Sequence, residues 1–107
     1  MINPNDEIQY IVDLIDDYAE AHKQLTYCES IKPAIKALEM AKSNQPSIAG
    51  KEMEAFTSEA YESFCIKYAE AQKKYTSLKL KIETAKLKVE VFRTESANNK
   101  QIEKITR

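Results

Sequence analysis

Apolar residues recur along this chain at steps of three and four, the beat of amphipathic helices rather than of strands. The beat is cleanest in the second half. From Tyr61 a heptad runs unbroken through Phe64, Tyr68, Ala71, Tyr75, Leu78, Ile82, Ala85, Val89 and Phe92. With these at a and d, the g positions are Lys67, Lys74, Lys81 and Lys88, and the e positions include Lys79, Lys86 and Arg93. An apolar seam with charge on both shoulders is the coiled-coil pattern. Tyr61, Tyr68 and Tyr75 lie seven apart on it. Such a stripe could be a platform on which bases stack. Their alternation with Phe64, Ala71 and Leu78 instead predicts core residues with hydroxyls at the rim. Beyond Phe92 the seam positions become Ser96 and Asn99, so the tail SANNKQIEKITR is expected to fray or pack weakly.

The first half reads as a second long helix. Asn3 caps, Pro4 suits the first helical position, and Asp6 and Glu7 favour the first turn. Ile8, Ile11, Ile15, Tyr18, His22 and Leu25 predict its seam, flanked by Val12, Leu14, Ala19 and Ala21. The beat slips at Leu25 to Cys28 and resumes through Ile31, Ile35 and Leu38. Pro33, which lacks a backbone donor, is expected to bend the helix just beyond that slip. Ser-Asn-Gln-Pro-Ser at 43–47 ends it. A short helix over 48–56 carries Met53 and Phe56, and Thr57-Ser58 offers a cap for the last helix.

The spacing thus predicts one all-α domain over 1–107, an elongated antiparallel helical hairpin with a short helix at its turn. Helix 1 is expected over about 4–43, the short helix over 48–56, and the long helix over 58–103. Two hairpins could then pair into a four-helix assembly. Leu80, Leu87 and Val91 motivate that step. They form a second apolar strip, roughly opposite the main seam, where a lone hairpin would show them to water. A dimer is the expected form.

Composition supports long helices: 31% of residues are charged, Gly50 is the single glycine, and the three prolines lie far apart. No stretch approaches the roughly 18 apolar residues of a membrane span, and the acidic N-terminus MINPNDEIQY shows no signal-peptide pattern. Cys28 and Cys65 form no CxxC pair and are expected to be reduced, buried thiols of a cytoplasmic protein. The net charge of −1 hides a division. Residues 1–30 hold seven acids against Lys23 alone, whereas residues 67–107 hold eleven Lys and Arg against five acids. That asymmetry fits two opposed helices attracting one another, or a basic segment reaching for a polyanion.

Catalytic patterns are missing. His22 is the single histidine, so neither an HExxH pair nor a Cys/His zinc set can be assembled. Asp13, Asp16, Asp17 and Glu20 crowd one side of the first helix and read as a solvated acidic face. One glycine cannot make a phosphate-cradling loop. The expectation is a protein that is not an enzyme and needs no cofactor or metal. Its candidate contact residues for nucleic acid or a protein partner are Lys79, Lys81, Lys86, Lys88 and Arg93; as coiled-coil shoulders they would do no more than pair with acids of helix 1. Glu70, Glu83 and Glu90 interrupt the positive field and favour the shoulder role.

From Ser47 to Lys104 the chain resembles a family of small, uncharacterised helical proteins of tailed bacteriophages and prophages. The resemblance is carried by KEMEAFTSEAY, YAEAQKKY and KIETAKLKVEVFRTESANNK, with Glu90, Phe92 and Arg93 its most specific part. Thr57-Ser58 stands where that family commonly has Asp-Pro, and Phe92 where it usually has Trp. The resemblance implies a phage setting, often near early genes of recombination and replication, in the cytoplasm of a bacterial host. It transfers no catalytic residue. The function expected is a non-enzymatic accessory protein binding a phage or host protein, and DNA in one version, during recombination or replication. The alternative is an anti-defence protein, of the anti-CRISPR type, that blocks a host immune complex.

Overall fold

The computed structural model describes residues 3–106. It contains three helices and, among the described residues, no strand: α1 (Pro4–Lys42), α2 (Ile48–Phe56) and α3 (Glu59–Thr106). The fold is an all-α helical hairpin with the short α2 at the turn. Local chemistry sets the ends. Asn3 accepts the Asn5 N–H on Oδ1 at 3.0 Å, and its carbonyl takes the first helical bonds. Ser47 caps α2, its Oγ accepting from the Gly50 N–H at 3.0 Å. Ser58 caps α3, accepting from the Tyr61 N–H at 3.2 Å while donating to the Ala55 carbonyl at 2.7 Å. One buried polar side chain fastens the turn: Ser43 donates to Glu54 at 2.8 Å and accepts from the Gln45 N–H.

The α3 seam is where the heptad predicts it. Every residue of α3 that is not exposed, up to Ser96, falls on that a/d row. Phe64, Leu78, Ala85 and Val89 are buried; Tyr61, Tyr68, Ala71, Tyr75, Ile82 and Phe92 are half-buried. Past Ser96 the helix continues to Thr106 with its side chains exposed through Ile105.

Contacts gather into two compact units. One joins the chain up to Ala19 with the chain from Thr76 onward; the other is Glu20–Tyr75. Within the second, rings line the seam: Phe56 meets Tyr61 edge-on at 5.2 Å, Tyr61 follows Phe64 at 6.3 Å, and Phe64 meets Tyr68 edge-on at 6.0 Å. Such pairs add about 0.5–1.5 kcal/mol beyond the area they bury. Lys36 closes the corner, 4.9 Å above the Phe56 ring and 3.5 Å from Glu52. Pairing is antiparallel, since Tyr75 meets His22 at 5.5 Å and Tyr68 donates to Glu29 at 3.4 Å. In the first unit Glu7 lies 3.7 Å from Lys88, again antiparallel, and the acidic start of α1 runs along the basic part of α3.

Helix α1 departs from expectation in its register. Ile8 and Ile15 are about half exposed and His22 is exposed, so these three are not seam residues. The row turned inward is Ile11, Leu14, Tyr18, Ala21, Leu25 and Cys28. Both rows have helical spacing, and the apolar face of α1 is wide enough to hold both. Ala21, 2% exposed, explains the choice: a partner seam loaded with tyrosine rings needs a small residue opposite for the backbones to approach. The slip lies between Cys28 and Ile31, nearer Pro33, and Leu38 is exposed while Glu39 and Met40 are half-buried. Pro33 sits inside the helix. Both cysteines are free, but Cys28 is half-buried and Cys65, on the shoulder beside the seam, is exposed. Neither is the buried thiol expected from its apolar neighbours.

Phe64 is the largest of the buried side chains. Phe64→Ala is expected to destabilise the protein by about 3–5 kcal/mol, the cost of emptying a large aromatic site. Ile66→Ala, at an exposed position two residues on, should cost under about 0.5 kcal/mol. Urea unfolding followed by circular dichroism reads both; equal midpoints for the two variants would mean that the ring row is not the core.

Candidate interaction surface

A second row on α3 is built by the same helix that builds the seam. Leu80, Thr84, Leu87 and Val91 step by four, three and four, roughly opposite the residues that face α1. Leu80 is 55% exposed, Leu87 64% and Val91 49%. Burying a leucine is worth about 1.5–3 kcal/mol, so a row of this kind is a standing drive toward contact. Beside it runs a groove of about 510 Å³ in the same unit, lined by Asp6, Glu7 and Tyr10 of α1 and by Leu80, Lys81 and Lys88 of α3 among others.

The basic residues fall on two shoulders. Lys81 and Lys88 face that groove, and Lys88 is held by Glu7. Lys79, Lys86 and Arg93 lie on the other flank of the α3 seam, where Arg93 is 3.9 Å from Glu90 on the same helix. The five do not form one continuous positive field.

A third apolar row, absent from the sequence-based reading as a surface, lies on α1. Ile8, Val12, Ile15 and Ala19 are all exposed and share the spacing of the α3 row. Their period is visible in the sequence, where Ile8 and Ile15 also fit the spacing of the seam. A further groove of about 600 Å³ lies in the Glu20–Tyr75 unit, walled by Tyr27, Cys28, Ile31, Ile35 and Phe64 and edged by Lys67 and Glu70.

No group of three or more His, Cys, Asp or Glu side chains among the described residues is placed to hold a metal ion; Asp13 accepts from the Gln9 amide and Glu20 from the Gln24 amide. Glu20 is held below the usual carboxylate range by the hydrogen bond from Gln24, with Lys23 and Lys74 adding to it. The Tyr68 hydroxyl is pushed above its ordinary value, first by loss of water around it and then by the Glu29 carboxylate it bonds. No helix among the described residues is long and apolar enough to cross a membrane.

The Tyr68 shift has a sign that can be read in solution. A raised folded-state value favours the neutral phenol, so its contribution is complete below the ordinary tyrosine value near pH 10 and is lost as pH rises past it. Glu29→Gln removes the carboxylate and should lessen the alkaline loss of stability expected of the parent. Melting temperatures between pH 8.5 and 11 test this; identical pH slopes in both proteins would show that the Tyr68–Glu29 contact does not form.

Comparison of the chain with protein-family models, with characterised proteins and with solved structures finds no match in any of the three.

Proposed function

We propose that this chain is a non-enzymatic accessory protein of a phage or prophage, acting by protein contact in recombination or replication in the host cytoplasm. The observation that carries the protein-contact part is the exposed row of Leu80, Leu87 and Val91 on the outward side of α3. A helix whose seam is already filled by α1 gains nothing internally from three large apolar residues on its far side. They become useful only when another surface covers them. The phage setting is supported by the resemblance that runs from Ser47 to Lys104 and rests on Glu90, Phe92 and Arg93.

Protein contact is favoured over DNA contact because the basic residues are split between two flanks and partly neutralised by Glu7 and Glu90. A phosphate track needs several cations along one line, each neutralised phosphate contributing about 0.9 log units of salt dependence on duplex DNA.

The test is affinity capture from phage-infected cells with the parent chain and with Leu80→Glu/Leu87→Glu. Recombination or replication proteins should be recovered with the parent and lost, by tenfold or more, with the variant. Recovery of a host immune complex in their place would support the anti-defence reading and overturn this one. A gel shift at low salt runs alongside. A complex with DNA at micromolar protein, weakened by Lys81→Gln/Lys88→Gln and by added salt, would replace protein contact with phosphate binding as the activity.

A further inference from the structure

The part of α1 up to Ala19 presents more apolar surface than the α3 seam covers. At about 100° per residue its apolar arc runs from Leu14 through Tyr18, Ile11, Ile15 and Ile8 to Val12, roughly 160° in all. The stripe that a helix turns to its core is about 100° wide. What the seam takes from the arc is not its most apolar part. Glu7, Ile11, Leu14 and Tyr18 are turned inward, so a carboxylate holds a seam position while Ile8 and Ile15 stand outside, 47% and 50% exposed. The Glu7 side chain is only 20% exposed and has Lys88 3.7 Å away. This end of α1 is also loosely seated. No described residue of α1 before Ala21 is buried, and Ala21 belongs to the other compact unit. On the α3 side of the same unit Leu78, Ala85 and Val89 are buried.

We propose that this part of α1 has two seats on α3 and rolls between them by about 50°. One is the seat the structure shows. In the other, Ile8 and Ile15 turn inward in place of Glu7 and Leu14. Ile11 and Tyr18 face the seam in both. The inward residues step by four, three and four in the first seat and by three, four and three in the second. Both patterns fit a heptad, and α3 keeps its own row throughout.

The flanks accept the roll. Glu7 and Tyr10 line the groove that holds Lys81 and Lys88, and Ile8 lies to the other side of Ile11. Turning Ile8 inward therefore carries Glu7 outward into that groove, toward water and still beside Lys88. On the opposite flank Val12 turns toward a stretch of α3 where Lys79, Glu83, Lys86 and Glu90 alternate in sign, so no single charge opposes the move. Each seat has its own advantage. The first continues the row of Ala21; the second takes two isoleucines out of water and returns a carboxylate to it.

The roll decides what α1 displays. In the first seat Ile8, Val12, Ile15 and Ala19 form one exposed row; in the second, two of the four are withdrawn. The row is a surface that the protein offers or retracts, and whatever binds it holds α1 in the first seat. This holds whether or not the α3 row meets a partner.

A full-length Leu14→Gln variant tests the roll, because it weakens the first seat alone: Leu14 faces outward in the second. Exposure is read by NMR, from the relaxation that a soluble gadolinium chelate adds at each isoleucine methyl group. In the parent, Ile8 and Ile15 should relax faster than the seam residue Ile82. In Leu14→Gln, with helicity by circular dichroism unchanged, the enhancement at Ile8 and Ile15 should fall at least threefold, toward that of Ile82. Unchanged enhancement, or a rise with loss of helicity as the end frays, overturns the proposal, for the second seat has then not taken over. Urea unfolding of the milder Leu14→Ala gives an independent reading. Ile8→Ser/Ile15→Ser should shift the unfolding constant at least tenfold more in Leu14→Ala than in the parent, since the serines remove the seat that the alanine favours. Independent positions give equal effects in the two backgrounds, and that result would leave α1 with a single seat.

Discussion

Everything in this molecule depends on one narrow seam. The two long helices meet along a row of α3 side chains spaced by the heptad, and outside that row no residue of α3 is even half-buried. Of the described residues only six apolar ones are buried, three of them alanines, so the core is one side chain thick. A seam so thin cannot discriminate by volume alone. It discriminates by size alternation: rings at Tyr61, Phe64, Tyr68 and Tyr75 on one helix and a small residue, Ala21, on the other. The polar corrections sit at its edges, where the Tyr68 hydroxyl reaches Glu29 and Lys88 reaches Glu7. Pairs as exposed as the second contribute at most about 1 kcal/mol each, and their effect is on register and pairing direction more than on stability.

How much of this could be read from the residues differs between the helices. On α3 the heptad is legible to the residue, because lysines at g and e bracket the apolar positions and leave one possible row. On α1 nothing brackets them. Ile8 and Ile15 are as apolar as Ile11 and Leu14, and an isolated helix has no reason to prefer either row. Only the partner decides, through the space that Ala21 frees, and a partner's demand is not written in local periodicity. The same ambiguity hid the candidate surface on α1, since a row assigned to the core cannot also be noticed as exposed. The α3 surface was legible for the opposite reason: Leu80, Leu87 and Val91 could not join a seam already full. For the cysteines, apolar neighbours in sequence misled, because on a helix the adjacent residues point about 100° away and say little about a side chain's own surroundings.

What the surfaces have in common is excess: two apolar rows and two grooves beyond what the hairpin needs to close. Among the described residues, Glu20 departs from its ordinary value chiefly through its hydrogen bond from Gln24, and Tyr68 through loss of water and then the Glu29 carboxylate.

The turn that holds α2 also orders the way the chain can fold. Ser43 and Glu54, at the corner, are eleven residues apart; Glu29 and Tyr68 are 39 apart; Glu7 and Lys88 lie farther still. Closing a loop costs entropy that grows with its length, so the corner contact is the least costly to make first, and each turn of seam formed beyond it shortens the loop the next must close. The hairpin can therefore zip from α2 outward without any long-range search. The unit that joins the two ends of the chain closes the longest loop, and it is the unit that carries both exposed rows.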